Sequence, residues 1–201
     1  MKKSSILVTG GASFVGAKLC EALLQLKYTV VCLDNFSTGK MDAIKHLVPN
    51  PNFKLIGGDI RNEEDCKKAC KHIDLVVHQA VLNQATSKIT NAVAVHTVNT
   101  IGFVNIITAA QNAHVKGVMY CNKNQHTSSQ QPLETAYNSF EIAAITNKLY
   151  VQLFEQTYHL PIQEITPQHI SKTATKEANA IGVQTYVKAI TQLCKASCKL
   201  V

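Results

Sequence analysis

Two rhythms of apolar residues alternate along the chain. Short apolar runs without helical period predict strands at 4–9, long enough for a strand buried on both faces, and at 28–33, 53–57, 74–79 and 117–121, and the less apolar stretch 162–165 adds a sixth. Between them apolar positions recur every three or four residues, which predicts helices. One begins at Phe14, with Val15, Leu19, Leu23 and Leu26 on its apolar side, and others run over 63–72, 92–113, 140–159 and 180–195. A short helix over 40–48 is stopped by Pro49 and Pro51. Asn62 is placed to cap the helix at 63, since Glu63 and Glu64 follow it in the first turn. The apolar positions over 140–159 wrap more than half the circumference, so this helix needs a second partner, either another helix or another subunit. The polar segment 81–91 is assigned no element.

Strands alternating with helices predict an α/β chain with a doubly wound parallel sheet, the Rossmann fold. It has three αβα layers and strand order 3-2-1-4-5-6. Residues 1–170 form a dinucleotide-binding-like domain, and 171–201 a C-terminal helical segment packed on it. At the first junction the strand turns on Gly10 and Gly11 into the helix. Such a turn presents free N–H groups and a positive dipole end to a dinucleotide pyrophosphate. The three positions where this turn favours glycine read Gly10, Ser13 and Gly16, and a serine side chain in the middle is expected to push the pyrophosphate away. The second strand ends in Asp34, placed to accept both ribose hydroxyls of an adenosine, which favours NAD over NADP. Gly57-Gly58 ahead of Asp59 reads equally as an exit turn or as part of the cofactor site, and His78 reads as a satisfied buried histidine.

Composition narrows the partners. The formal charge of +7 comes from lysines scattered over every segment and a single arginine, Arg61, with no basic stripe among aromatics, so no nucleic-acid partner is expected. Seven cysteines, odd in number and mostly within apolar segments, suit free thiols in a reducing compartment. The pairs Cys66/Cys70 and Cys194/Cys198 do not bring about four ligands into register, so no metal site is expected. No run of eighteen apolar residues occurs, and MKKSSILVTGG carries no cleavable signal pattern, which leads to the expectation of a cytoplasmic protein without a membrane segment.

The strings ILVTGGASFVG, VVCLDNFSTGK, PNFKLIGGDIRN, VVHQA, TVNTIGFVNII and LYVQLFEQTYHLP resemble the extended short-chain dehydrogenase/reductases, specifically the NAD-dependent nucleotide-sugar 4-epimerases acting on UDP-glucose and UDP-N-acetylglucosamine. The resemblance implies NAD on the glycine turn (Gly10, Ser13, Phe14, Val15, Gly16), Asp34 and Asn35 on the adenosine ribose, Asp59 and Ile60 beside the adenine, and Asn99 near strand four. It also implies a homodimer through the helices at 92–113 and 140–159.

The departures fall where the family's chemistry resides. Its members abstract a hydroxyl proton with a tyrosine whose pKa is lowered by a lysine four residues later, beside a serine or threonine after strand five. Aligned on LYVQLFEQTYHLP, the tyrosine position holds Phe140 and the lysine position Ala144, and no Tyr-x-x-x-Lys occurs in the sequence. The serine-rich string after strand five reads Asn122-Lys123-Asn124-Gln125, and the loop after strand four reads LNQATSK from Leu82 to Lys88. Few residues follow Pro161 where the family carries its sugar-nucleotide subdomain, so nucleotide-sugar binding is doubtful. The expectation is therefore a non-catalytic relative, a scaffold or interaction module, with NAD binding weak or absent and no catalytic residue. The alternatives are an active UDP-sugar 4-epimerase or dehydratase, with Lys123 or His126 as stand-in base, and a dinucleotide sensor without chemistry.

Overall fold

The computed structural model describes residues 3–82, 91–121, 138–165 and 175–197. Its strands are β1 (Ser5–Thr9), β2 (Thr29–Asp34), β3 (Phe53–Gly57), β4 (Leu75–His78), β5 (Gly117–Cys121) and β6 (Ile162–Ile165). All neighbours pair in parallel, in the order β3-β2-β1-β4-β5-β6, as the alternating pattern predicts. The order in which strands are added reverses between β1 and β4, which opens a crevice at the carboxyl ends of these strands.

Side chains alternate across each strand, so the sheet builds a core on both faces. On one face Ile6, Val8 and Met119 meet Leu19 and Leu23 of α1 (Phe14–Gln25) and Tyr186 and Ile190 of α6 (Lys176–Ser197). On the other, Leu7, Val76 and Val118 meet Cys66 of α2 (Glu63–Cys70), Phe103 and Ile106 of α4 (Gly102–Asn112) and Phe154 of α5 (Ser139–Tyr158). Asn62 caps α2 as its sequence position implies, its side chain accepting from the N–H groups of Glu64 and Asp65. Cys20, Cys32, Cys66, Cys70, Cys121 and Cys194 are buried and form no disulfide among the described residues, and burial pushes Cys66 and Cys70 up to about 12.

Three elements differ from the sequence pattern. Over 40–48 only a 3₁₀ turn forms, Met41–Ala43, followed by further turns. Its buried residues Ile44 and Leu47 sit three apart, and Leu47 N–H donates to the Ile44 carbonyl (2.8 Å), a tighter turn than an α-helix makes. The helix at 92–113 is interrupted: α3 (Ala92–His96) passes through a π-helical turn, Thr97–Ile101, into α4. The last helix is longer than its apolar stripe and starts at Lys176 rather than at 180. Ala92–Asn112 has the length and apolarity of a membrane span, by length and composition only, and Val95, Phe103, Ile106 and Ile107 within it are buried inside the fold.

Candidate functional site

At the phosphate end, Gly10 adopts φ +67°, and a Cβ there would stand 2.8 Å from the backbone of Ala80. Gly16 is required for a different reason: its Cβ would lie 2.2 Å from the Gly10 carbonyl oxygen, where α1 packs on the turn. Ser13 is the N-cap of α1 at φ −74°, backbone that any residue adopts. Its hydroxyl donates to the Gly10 carbonyl (2.7 Å) and accepts from Gly16 N–H (3.1 Å). The hydroxyl is therefore held within the turn, which removes part of the obstruction expected of it. The N–H groups of Phe14 and Val15, at the first two helical positions, have no intrahelical partner and are free to meet an anion. Ser13→Ala is expected to cost about 1 kcal/mol through loss of the cap, measured by urea unfolding.

The edge at the carboxyl ends of β2 and β3, where the sequence leads one to expect an adenosine, is built around two carboxylates. Asp34, only 7% exposed, accepts from Ala12 N–H through Oδ2 and from Phe36 N–H through Oδ1, both at 2.8 Å. It thereby locks the end of β2 to the glycine turn, while each oxygen keeps a lone pair for a further donor. Asn35 donates to Asp59 Oδ2 (2.8 Å), and Arg61 grips the same carboxylate through Nε and Nη2. The Arg61 guanidinium holds the Asp59 carboxyl well below its ordinary range, at about 2. Ile60 turns away from this edge: its side chain packs against Gly102 in α4 and its carbonyl accepts from Asn105 (3.0 Å). Arg61 is the residue the sequence pattern missed here; that it is the only arginine in the chain was the available signal.

The structure places Phe140 and Ala144 on the first turns of α5, which starts at a capping box between Asn138 and Glu141. Phe140 is 5% exposed and packs with Leu82, Val95 and Ala143, while Ala144 is buried beside it. These two positions thus carry a phenyl ring and a methyl group where the family resemblance implies a tyrosine and a lysine. Asn99 is tied to the same cluster through Leu82. Carried by the π-helical turn, its Oδ1 accepts from Leu82 N–H (2.7 Å) and its Nδ2 donates to the Leu82 carbonyl (2.9 Å), which clamps the chain just after β4. Asn147 of α5 donates to the Asn99 carbonyl (2.8 Å) and steadies the clamp. The stand-in bases Lys123 and His126, the rest of the string at 122–125 and the segment 83–90 lie outside the described residues.

His78 is the buried, satisfied histidine the pattern suggests. Its Nδ1 lies 2.9 Å from Thr9 Oγ1, its ring packs on Phe103, and burial pushes it down to about 4. The folded state therefore holds this imidazole neutral, whereas the unfolded chain protonates it near its ordinary 6.5. The resulting stability is complete above about 6.5 and is lost as pH falls toward about 4, a loss of about 3 kcal/mol. Urea unfolding across this range should show the slope, and a His78→Asn variant should not.

Comparison with known proteins agrees with this geometry. Residues 6–160 match the NAD dependent epimerase/dehydratase family. A Methanocaldococcus jannaschii protein provisionally named a UDP-glucose 4-epimerase is 26% identical over 162 residues, covering 76% of this chain and 52% of its own length. The UDP-glucuronic acid 4-epimerase of Bacillus cereus, solved in complex with NAD, superposes with a TM-score of 0.68 at 25% identity, over 80% of this chain and 55% of that one. The dTDP-glucose 4,6-dehydratase DesIV of Streptomyces venezuelae, at 22% identity and a TM-score of 0.70, covers 81% of this chain and 55% of its own and shares the fold. The chain thus spans about half the length of these relatives. With the glycine turn, the acidic end of β2 and the parallel sheet all in place, the chain belongs to the NAD dependent epimerase/dehydratase family.

Proposed function

We propose that this chain is a non-catalytic member of its family that keeps a dinucleotide groove and serves as a scaffold or interaction module. The observation that carries the reading is the burial of Phe140 among Leu82, Val95 and Ala143, with Ala144 buried one turn further along the same helix, so that neither of these two positions offers a transferable proton or a cation. Positioned acid–base groups contribute about a hundredfold to ten-thousandfold in rate, so their loss removes most of the turnover an epimerase needs. The groove itself suits NAD. The N–H groups of Phe14 and Val15 would take the pyrophosphate and Asp34 the ribose, and bound NAD would supply a hydride acceptor.

The test combines two readouts. NAD at about a hundred times its dissociation constant contributes about 2.7 kcal/mol of stability, so the melting temperature should rise. UDP-N-acetylglucosamine and UDP-N-acetylgalactosamine should not interconvert in the same sample. Turnover would overthrow the reading, and absence of any thermal shift would restrict it to a scaffold without dinucleotide. Ser13→Gly should tighten NAD binding, because it removes the hydroxyl and returns Gly16 N–H to the anion; weaker binding would contradict the placement of the turn.

The same reading includes a homodimer. Val93 and Ile101 on the α3–α4 stretch and Ile142, Leu149 and Leu153 on α5 are exposed, Leu149 at 62%. Large apolar side chains gathered on two adjacent helices favour a second copy across them. Sedimentation of the purified chain should give a dimer, and Leu149→Asp a monomer.

A further inference from the structure

The helices α1, α2, α4 and α5 each end where the next strand starts, and the fold brings those starts into one line. Thr29 N–H donates to the Ser4 carbonyl (3.3 Å), Asp74 N–H to that of Ser5 (2.9 Å), Lys116 N–H to that of Asp74 (2.8 Å) and Val118 N–H to that of Pro161 (2.8 Å). The amino ends of β2, β1, β4, β5 and β6 therefore form a continuous rim, at the edge of the sheet opposite the glycine turn. Each helix enters it through a lysine or histidine in left-handed backbone: Lys27 (φ +67°), His72 (φ +62°), His114 (φ +54°) and His159 (φ +53°). These cations are scattered in the sequence, and parallel topology gathers them. Lys3 and Lys71 join them, and all six residues are exposed. Asp74 and Glu155, carboxylates at the same rim, are engaged: Asp74 accepts from Ser5 N–H (2.8 Å) and pairs with Lys116 (3.0 Å), and Glu155 accepts from Ile162 N–H (3.3 Å).

A cation at a helix C-terminus offsets the dipole, which accounts for the charge at each junction. It does not account for Leu26, Val48 and Tyr158, which are 40%, 50% and 49% exposed. Leu26 and Tyr158 directly precede Lys27 and His159, and Val48 lies in the turns that lead into β3, whose start is tied to Val30 N–H through the Asn52 carbonyl (2.8 Å). Single exposed apolar side chains are ordinary, but three of them set among cations at one end of the molecule suit a surface that lies on a bilayer. We propose that this rim docks the protein on an anionic phospholipid membrane, with Leu26, Val48 and Tyr158 entering the headgroup boundary and the lysines facing lipid phosphates and carboxylates. The chain's single arginine, Arg61, lies at the opposite edge, beyond β3. The rim thus carries compact point charges, which meet a diffuse layer of anions, rather than planar forks that grip one phosphate. Among the described residues Tyr158 is the one large aromatic exposed on it, so a single-stranded nucleic acid finds no row of rings to stack on. The proposal does not depend on the dinucleotide groove.

Flotation of the whole chain with phosphatidylcholine vesicles, with and without about 30% phosphatidylserine, tests this. The protein should float with the phosphatidylserine vesicles, stay behind with pure phosphatidylcholine, and be released as salt rises from about 0.1 M to about 1 M. Lys27→Gln with Lys71→Gln should weaken binding about twentyfold, at about fivefold for each lysine. Leu26→Ser with Tyr158→Ser leaves the charge unchanged and should weaken it about tenfold. Lys40→Gln with Lys188→Gln removes two exposed charges away from the rim and should leave binding unchanged. Native protein that stays unbound at about 0.1 M salt overturns the proposal. So does equal weakening by the Lys40 and Lys188 pair, full binding by the Leu26 and Tyr158 pair, or capture of a single-stranded oligonucleotide in preference to the vesicles.

Discussion

Asp34→Ala is expected to lower the unfolding free energy by about 2–4 kcal/mol and to remove dinucleotide binding, two effects that arise from the same pair of oxygens. Each oxygen accepts a backbone N–H at 2.8 Å, one from Ala12 in the glycine turn and one from Phe36 beyond β2. Hydrogen bonds to a charged acceptor are the stronger kind, and truncation leaves both donors without a partner. The turn loses the tie that holds it against β2, so the geometry of the phosphate site relaxes along with the ribose contact. Asp34→Asn separates the two roles. It keeps one acceptor oxygen, so it should recover part of the stability while binding NAD poorly. Denaturant unfolding and calorimetric titration of both variants check this, and full NAD affinity in Asp34→Ala would place the ribose elsewhere.

Asn99→Leu should cost about 2–5 kcal/mol, because it leaves both the N–H and the carbonyl of Leu82 without their partner inside the protein. The side chain is buried, so no solvent replaces the lost bonds. Leu82 in turn forms one wall of the cluster around Phe140, so the substitution loosens the reaction end of the groove without touching the phosphate end. Urea unfolding gives the stability loss. NAD affinity is expected to change far less than in Asp34→Ala, and an equal loss of binding would mean that Asn99 acts on the cofactor directly.

The sheet was legible because strands buried on both faces read as continuous apolar runs, as β1, β2, β4 and β5 do, while the edge strands β3 and β6 are partly exposed and read from shorter apolar stretches. The glycine turn was legible because Gly10 and Gly16 answer local steric demands, a positive φ and a close approach of backbone to helix. What stayed hidden depends on hydrogen-bond geometry that apolar spacing does not encode. The π-helical turn at Thr97–Ile101 leaves the apolar pattern intact and is visible only in how Asn99 reaches Leu82. The stretch at 40–48 buries Ile44 and Leu47 at a spacing that suits either a helix or successive 3₁₀ turns. The direction of the Ser13 hydroxyl follows from its place as N-cap, and the closure of Asp59 by Arg61 is a contact two residues apart across a loop, with no period to reveal it. Gln79 and Tyr186 bond at 3.0 Å across more than half the chain, a pairing that only the packing of α6 on the sheet creates.

The account turns on whether the groove proposed to hold NAD performs proton transfer without a phenol or an ammonium beside it. Incubation of the purified chain with saturating NAD and UDP-glucose, followed by proton NMR of the sugar, measures this directly. The account predicts that the glucose configuration persists with no galactose-configured product above the enzyme-free control. Accumulation of UDP-galactose at the rate of a catalytically complete relative would contradict it.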